Sequence, residues 1–346
     1  MTDSHGFPWG SNQPTRRQRL LLALGIAVCV GLNLYITQEK YDSTRSDFSL
    51  IWFGARALLN GADPYRLVGP GLVFDSQWTS LYPATAYVVG IPFAALPERW
   101  ASIAFVSASS FLLAYGITRH SWHLLPIFPS VPFIFSAQVA QWSILATAAI
   151  FIPWIAAVAA AKPQSFIPIL AGSRTRTPII VAAIGSLILF GLSLLLLPSW
   201  PWEWLDLARH ADHVRPHVLR LGGVSILLVL LKWRRPEAWI VAAMAVMPQT
   251  WYPYNTLPLL ALANTYREAC VLSLLASGGA YLTGIFFGGL PPVEAAAAGG
   301  QMAIATGYLP ATIMILRRSN VAEPPAAVRT FRRALRLTRQ SERTSH

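Results

Sequence analysis

Residues 179–197 read IIVAAIGSLILFGLSLLLL, nineteen positions without a charge. A helix rises about 1.5 Å per residue, so this stretch covers close to the ~30 Å hydrocarbon core of a bilayer. Leu20–Ile36 and Ala269–Phe287 repeat the pattern, again with no ionisable acid, lysine or arginine. One such run would be an anchor; several spread along 346 residues predict an all-α, polytopic membrane protein.

Composition agrees with that reading outside the three runs. Hydrophobic residues make up 54% of the chain and charged ones 12%, with a mean hydropathy of +0.46. A water-soluble domain cannot hide that much apolar surface. The net charge of +12 would suggest a nucleic-acid partner in a soluble protein, but the basic residues cluster at segment ends, where they set membrane orientation. No nucleic-acid partner is expected. Arg16, Arg17 and Arg19 precede the first span, and no small-residue cleavage site follows before Lys40, which predicts a retained anchor. Cys29 and Cys270 both lie in apolar runs, where they act as small hydrophobes.

Alternation from a cytoplasmic start predicts spans near 20–36, 84–97, 101–118, 124–137, 142–161, a short broken one at 165–171, then 178–197 and one returning to Lys232-Trp233-Arg234-Arg235. Four more are expected near 237–252, 255–265, 269–287 and 300–316, giving 11 to 13 in all. In this scheme Arg119 falls on the disfavoured outer side. The organisation expected is a cytoplasmic segment 1–19, a transmembrane domain 20–316 with its first outer loop at 37–83, and a basic cytoplasmic tail 317–346. Both termini are then cytoplasmic. Val328–Leu337 has the spacing of a basic amphipathic helix on anionic lipid, although a solvated tail fits the same residues.

Polar residues gather on the predicted outer face: the loop 37–83, the Lys162-Pro163 corner and the loop 199–216. Phe48–Asn60 reads as a surface helix capped by Ser46 or Asp47 and ended by Asn60-Gly61, with a turn at Asp63-Pro64-Tyr65. An acid at a helix start needs no chemistry to explain it, since the dipole favours it there.

The order of motifs adds to this. Asp47, Trp52, Ala55-Arg56-Ala57-Leu58-Leu59, Gly61-Ala62-Asp63-Pro64-Tyr65, Tyr82-Pro83, Ala140-Gln141-Trp142-Ser143 and Ala161-Lys162-Pro163-Gln164 together resemble glycosyltransferase family 87, over roughly residues 45–165. Two positions depart from the family pattern: Ala84 replaces a second proline after Tyr-Pro, and Ala140 replaces a glycine before the glutamine. The resemblance implies a GT-C membrane enzyme that moves mannose from a polyprenyl phosphate, with inversion and without metal or other cofactor. It also implies membrane lipids as surroundings and a glycan or glycolipid as acceptor, on the extracytoplasmic face of the cell membrane.

In such an enzyme Asp47 is the candidate general base, suited to the task because burial beside hydrocarbon raises a carboxylate's basicity. Lys162, the one lysine on the outer side of the central membrane region, is the candidate phosphate contact, with Arg56 as helper. Tyr65 and Tyr82 are candidate sugar-stacking rings, and Gln141 a candidate polar contact. His210, His213 and His217 follow at i, i+3 and i+7 beside Asp206 and Asp212, a spacing that would put the histidines on one helical face. No fourth ligand is fixed, so His210 is expected to contact phosphate or sugar rather than zinc. A transporter or a noncatalytic relative competes with the enzyme; a transporter predicts ionisable residues deep within spans, and here they crowd one face.

Overall fold

A computed structural model describes residues 13–76, 79–211, 214–321, 323–326 and 328–330. In chain order the helices are α1 (Arg16–Lys40), α2 (Asp47–Leu59), α3 (Ala84–Gly90), α4 (Glu98–Ile117), α5 (Val131–Gln138), α6 (Ser143–Ala148) and α7 (Pro163–Ala171). There follow α8 (Thr177–Leu196), α9 (Trp200–Arg209), α10 (Pro236–Val246), α11 (Leu257–Leu260), α12 (Tyr266–Phe287), α13 (Pro292–Ala303) and α14 (Leu309–Leu316). Tighter 3₁₀ stretches run over Pro153–Ala161 and Gly223–Lys232, and a π turn at Ile304–Tyr308 joins α13 to α14. Among the described residues the one sheet is a two-residue parallel ladder, β1 (Val68–Gly69) on β2 (Phe74–Asp75). The architecture is all-α.

α1, α4, α8 and α12 are long and apolar enough to cross a membrane. Their outward faces are greasy: Leu187 and Leu195 on α8 are 74% and 80% exposed. Surface of that kind is stable against lipid rather than water, which makes the chain a membrane protein. The other expected spans are half-length or broken. The residues 84–97 hold only α3 and a 3₁₀ turn at Ile91–Phe93 around Pro92, and 142–161 divides into α6 and the 3₁₀ stretch.

One expectation about direction is corrected. Alternating spans would make α1 and α4 run the same way, yet they lie antiparallel. Arg19 at the start of α1 donates to the Tyr115 carbonyl near the end of α4 at 2.8 Å, while Glu39 near the end of α1 pairs with Arg99 at the start of α4. The reason is length. The ten residues 84–93 reach only about 15 Å as a helix, too little to cross, so the chain turns back within one face and α4 makes the return. Arg119 thereby joins the arginine-rich end instead of standing alone on the other. That end is knit together by Glu237, which pairs with Arg174, Arg235 and Arg318, by Arg318 with Glu268, and by His123 on the Ala263 carbonyl.

Three hairpins of short helices rise from the arginine-rich end and turn at the opposite one. The first climbs through α5, turns at 139–142 and descends through α6 to Phe151, beside Gly116 at the foot of α4. The second rises over Pro153–Ala161, turns at Lys162 and descends through α7 to Gly172, which lies against Pro236 and Ile240. The third rises through α10 and returns through α11, with an irregular segment 247–255 between them. Irregular backbone at membrane depth survives only where protein covers it or where it lines a cavity, and these turns meet at a cavity.

α2 roofs the hairpins. Ser46 caps it in a reciprocal capping box with Ser49, and the Ser46 hydroxyl also bonds Ser102 on α4 at 2.8 Å. Phe48 is fully buried and stacks on Phe105 at 4.1 Å. Gly54 and Gly90 let α2 and α3 approach closely; a Cβ on Gly54 would stand 2.3 Å from the Tyr87 ring. Trp52 donates to the Leu96 carbonyl at 2.9 Å, which fixes the outer side of the helix.

Candidate functional site

Ser46 takes the capping role, so the neighbouring Asp47 carboxylate is not used in closing its own helix. The Asp47 amide donates to the Val139 carbonyl at 2.9 Å, which brings the start of α2 directly against the first hairpin turn. In that turn Ala140 adopts φ +48°, a left-handed backbone that favours glycine. The turn closes with the Gln141 amide on the Ser136 carbonyl at 2.9 Å, leaving the Gln141 side chain to point back at Asp47.

The Gln141 side chain is bonded at both ends of its amide. Its Oε1 accepts from the Trp142 amide at 2.8 Å and from Lys162 Nζ, and its Nε2 donates to Asp47 Oδ2. Because Oε1 already serves two donors, the orientation of the amide is fixed. Lys162 also donates to the Tyr82 hydroxyl at 3.3 Å, and its ammonium sits over the rings of Tyr82 and Tyr254, 5.2 and 5.8 Å from their centroids. The carboxylate, the amide, the phenol and the ammonium form one connected polar group.

That group opens on a cavity of about 620 Å³, large enough for a drug-sized or disaccharide-sized ligand. Asp47 and Lys162 are the only charged side chains among the described residues lining it. The remaining wall is mixed, with Gln164, Gln249 and Asn255 as polar contacts and Leu50, Ile167 and Phe135 as apolar ones. Phe135, Tyr252 and Tyr254 have nearly parallel rings, tilted 14–17° and 5.3–6.4 Å apart. α9 covers part of the opening: Trp204 and Ala208 line the cavity, and the Trp204 indole donates to the Leu81 carbonyl at 2.9 Å.

The electrostatics follow from placement outside the four long helices. Burial pushes the Asp47 carboxyl above its usual range, opposed by the positive charge of Lys162 and by the Tyr254 hydroxyl. Burial also brings the Lys162 ammonium down to about 8, opposed by Asp47. Burial and the Asp47 charge hold the Tyr82 phenol protonated well beyond neutrality. A carboxylate with raised basicity beside a cation in the wall of one cavity is suited to proton abstraction and to anion binding.

The structure therefore brings together Asp47, Tyr82, Gln141 and Lys162 of the residues singled out from sequence. It places three others elsewhere. Arg56 is exposed on the far side of α2, stacked on Trp52 at 4.9 Å. Tyr65 is buried behind the wall and donates to the Tyr82 carbonyl at 3.1 Å, supporting that residue from beneath. His210 is solvent-facing and bonds the Asp206 carbonyl at 2.8 Å. The histidine spacing does not give one face, because α9 ends at Arg209 and Pro216 restarts the chain. His217 is consequently fully buried against Tyr308, and His213 and Asp212 lie outside the described residues. Sequence reasoning missed Tyr252, Tyr254, Gln249 and Asn255. Their signal was the proline-broken polar run Gln249-Thr-Trp-Tyr-Pro-Tyr-Asn255 between two apolar stretches.

Protein-family models, curated proteins and solved structures were each compared with the chain, and none matched.

Proposed function

We propose that the chain is a membrane glycosyltransferase of GT-C type. In this reading it moves a hexose, mannose by resemblance to family 87, from a polyprenyl phosphate to a glycan or glycolipid. The observation that supports it is the meeting of Asp47, Tyr82, Gln141 and Lys162 on one cavity, although they come from four separate segments of the chain. The positive-inside rule puts the arginine-rich end in the cytoplasm and the cavity on the extracytoplasmic face.

The reaction is a single displacement. Asp47 accepts the proton of the acceptor hydroxyl as that oxygen bonds the anomeric carbon. The bond from this carbon to the phosphate oxygen breaks, and the polyprenyl phosphate leaves with the electron pair. Lys162 meets the charge that grows on that phosphate, and the fixed Tyr82 hydroxyl and Gln141 amide orient both groups. One carboxylate suffices, since a phosphate leaves without being protonated, and attack from the opposite side inverts the sugar.

Membranes bearing the protein should transfer sugar from polyprenyl-phosphate mannose, tested beside the glucose and galactose donors, and Asp47→Asn should lower the rate by 100-fold or more, in the ~10²–10⁴ range of a lost general base. Full transfer by Asp47→Asn would remove Asp47 as the base. A second reading, a transporter, draws on the three hairpins, because broken helices that meet around a site are also how transporters hold a substrate. Uptake of the same lipid-linked sugar into sealed vesicles, without product formation, would favour it.

A further inference from the structure

We infer that Gln141 is a positioning residue, a neutral spacer that keeps Asp47 and Lys162 from closing into a direct ion pair and so leaves both charges free for substrate. What the two charges do rests on the glycosyl-transfer reading; that they are held apart does not.

Buried opposite charges attract strongly, and the lysine stem is long enough to follow that attraction. Among the described residues, however, no ion pair joins Asp47 to Lys162; both instead bond the two ends of one amide. The amide cannot rotate away, because the Trp142 N–H holds Oε1 at 2.8 Å. Nor can it retreat, because Gln141 is only 1% exposed and stands in a turn anchored on both sides, by Ser136 and by the Asp47 backbone on Val139. Among the described residues lining the cavity no other charge competes. From the loop before α3 comes Tyr82, from the third hairpin Tyr252 and Tyr254, and the acids of α9, Glu203 and Asp206, do not line the cavity. A directly paired Asp47 would be a poor base and a directly paired Lys162 a poor phosphate site, so the spacer serves both roles at once.

The experiment is infrared titration of the Asp47 carboxyl band, identified as the band lost in Asp47→Asn, in the full chain in lipid nanodiscs. Gln141→Ala opens the gap: Lys162 should close on Asp47 and lower its midpoint by about 1 pH unit or more. Gln141→Met fills the same space without hydrogen bonds, so the midpoint should rise, because the carboxylate loses a donor and gains no closer cation. An unchanged or raised midpoint in Gln141→Ala would overturn the spacer. Should the alanine variant fail to fold, Gln141→Ser reads the same opening with a small polar residue. The band needs no turnover, so a chain whose Asp47→Asn form still transfers sugar would remove the catalytic reading while leaving the spacer to be judged by its own midpoints.

Discussion

At Asp47 two effects compete. It occupies the first turn of α2, where the helix dipole favours the ionised form, yet burial in the wall of the cavity disfavours it and prevails. The sign for activity follows: the base works when deprotonated, so transfer should fall as pH drops through a midpoint above the ordinary carboxylate range. Lys162 sets the other limb. Its ammonium titrates at about 8, and phosphate binding needs the charged form, so transfer should also fall above that pH. Lys162→Arg keeps its charge throughout, and a pH profile of that variant should lose the alkaline limb while retaining the acid one. An alkaline limb unchanged in Lys162→Arg would assign it to another group. The motif residues Asp47, Tyr82, Gln141 and Lys162 stood out in sequence through the resemblance, whose motifs fall in polar breaks between apolar runs; local pattern alone made Asp47 a helix cap. Tyr254 did not, because spans read at 237–252 and 255–265 swallow most of 247–255, and only the fold shows that proline-broken segment lining the cavity with Asp47.

The elements that hold this geometry are short, and close packing does the work that length would otherwise do. α2 lies on α3 through Gly54, with the Tyr87 ring where a side chain would go. Alanine in place of a mid-helix glycine ordinarily gains about 0.5–1 kcal/mol of helix propensity. Here a Cβ 2.3 Å from the ring forces an overpacking cost of roughly 1–3 kcal/mol, which outweighs the gain. Gly54→Ala should therefore lower the thermal midpoint of the detergent-solubilised protein, and an unchanged or higher midpoint would show that Tyr87 moves aside freely. α1, α4, α8 and α12 were readable from composition, as was α2 from its Ser46 cap and its Asn60-Gly61 end. The hairpins were harder. Each arm is four to eleven residues long, and the same hydropathy describes half a hairpin and a poor full span. Direction was lost at the same place: reading 84–97 as a crossing reversed α4, an error that only the Arg19–Tyr115 and Glu39–Arg99 contacts reveal.

Across the whole molecule, the arginine-rich cluster and the cavity occupy opposite ends. The arginines at 19, 119, 174, 235 and 318 share one end, and Asp47 and Lys162 share the other. In a Cys29→Ala, Cys270→Ala background, cysteine at Ala62 should react with an impermeant reagent added to intact cells, whereas Ser121→Cys should stay protected until the membrane is opened. Labelling of Ser121→Cys from outside would restore the parallel arrangement of α1 and α4 and overturn the corrected topology. Glycosyl transfer by this protein requires that a lipid-linked phosphate meet its base in this cavity. A density map of the full chain in nanodiscs with polyprenyl phosphate bound tests it most directly. The phosphate should lie within hydrogen-bond distance of Lys162 Nζ, with the Asp47 carboxylate facing the same space. Phosphate held at the arginine-rich end, with the cavity empty, would contradict it.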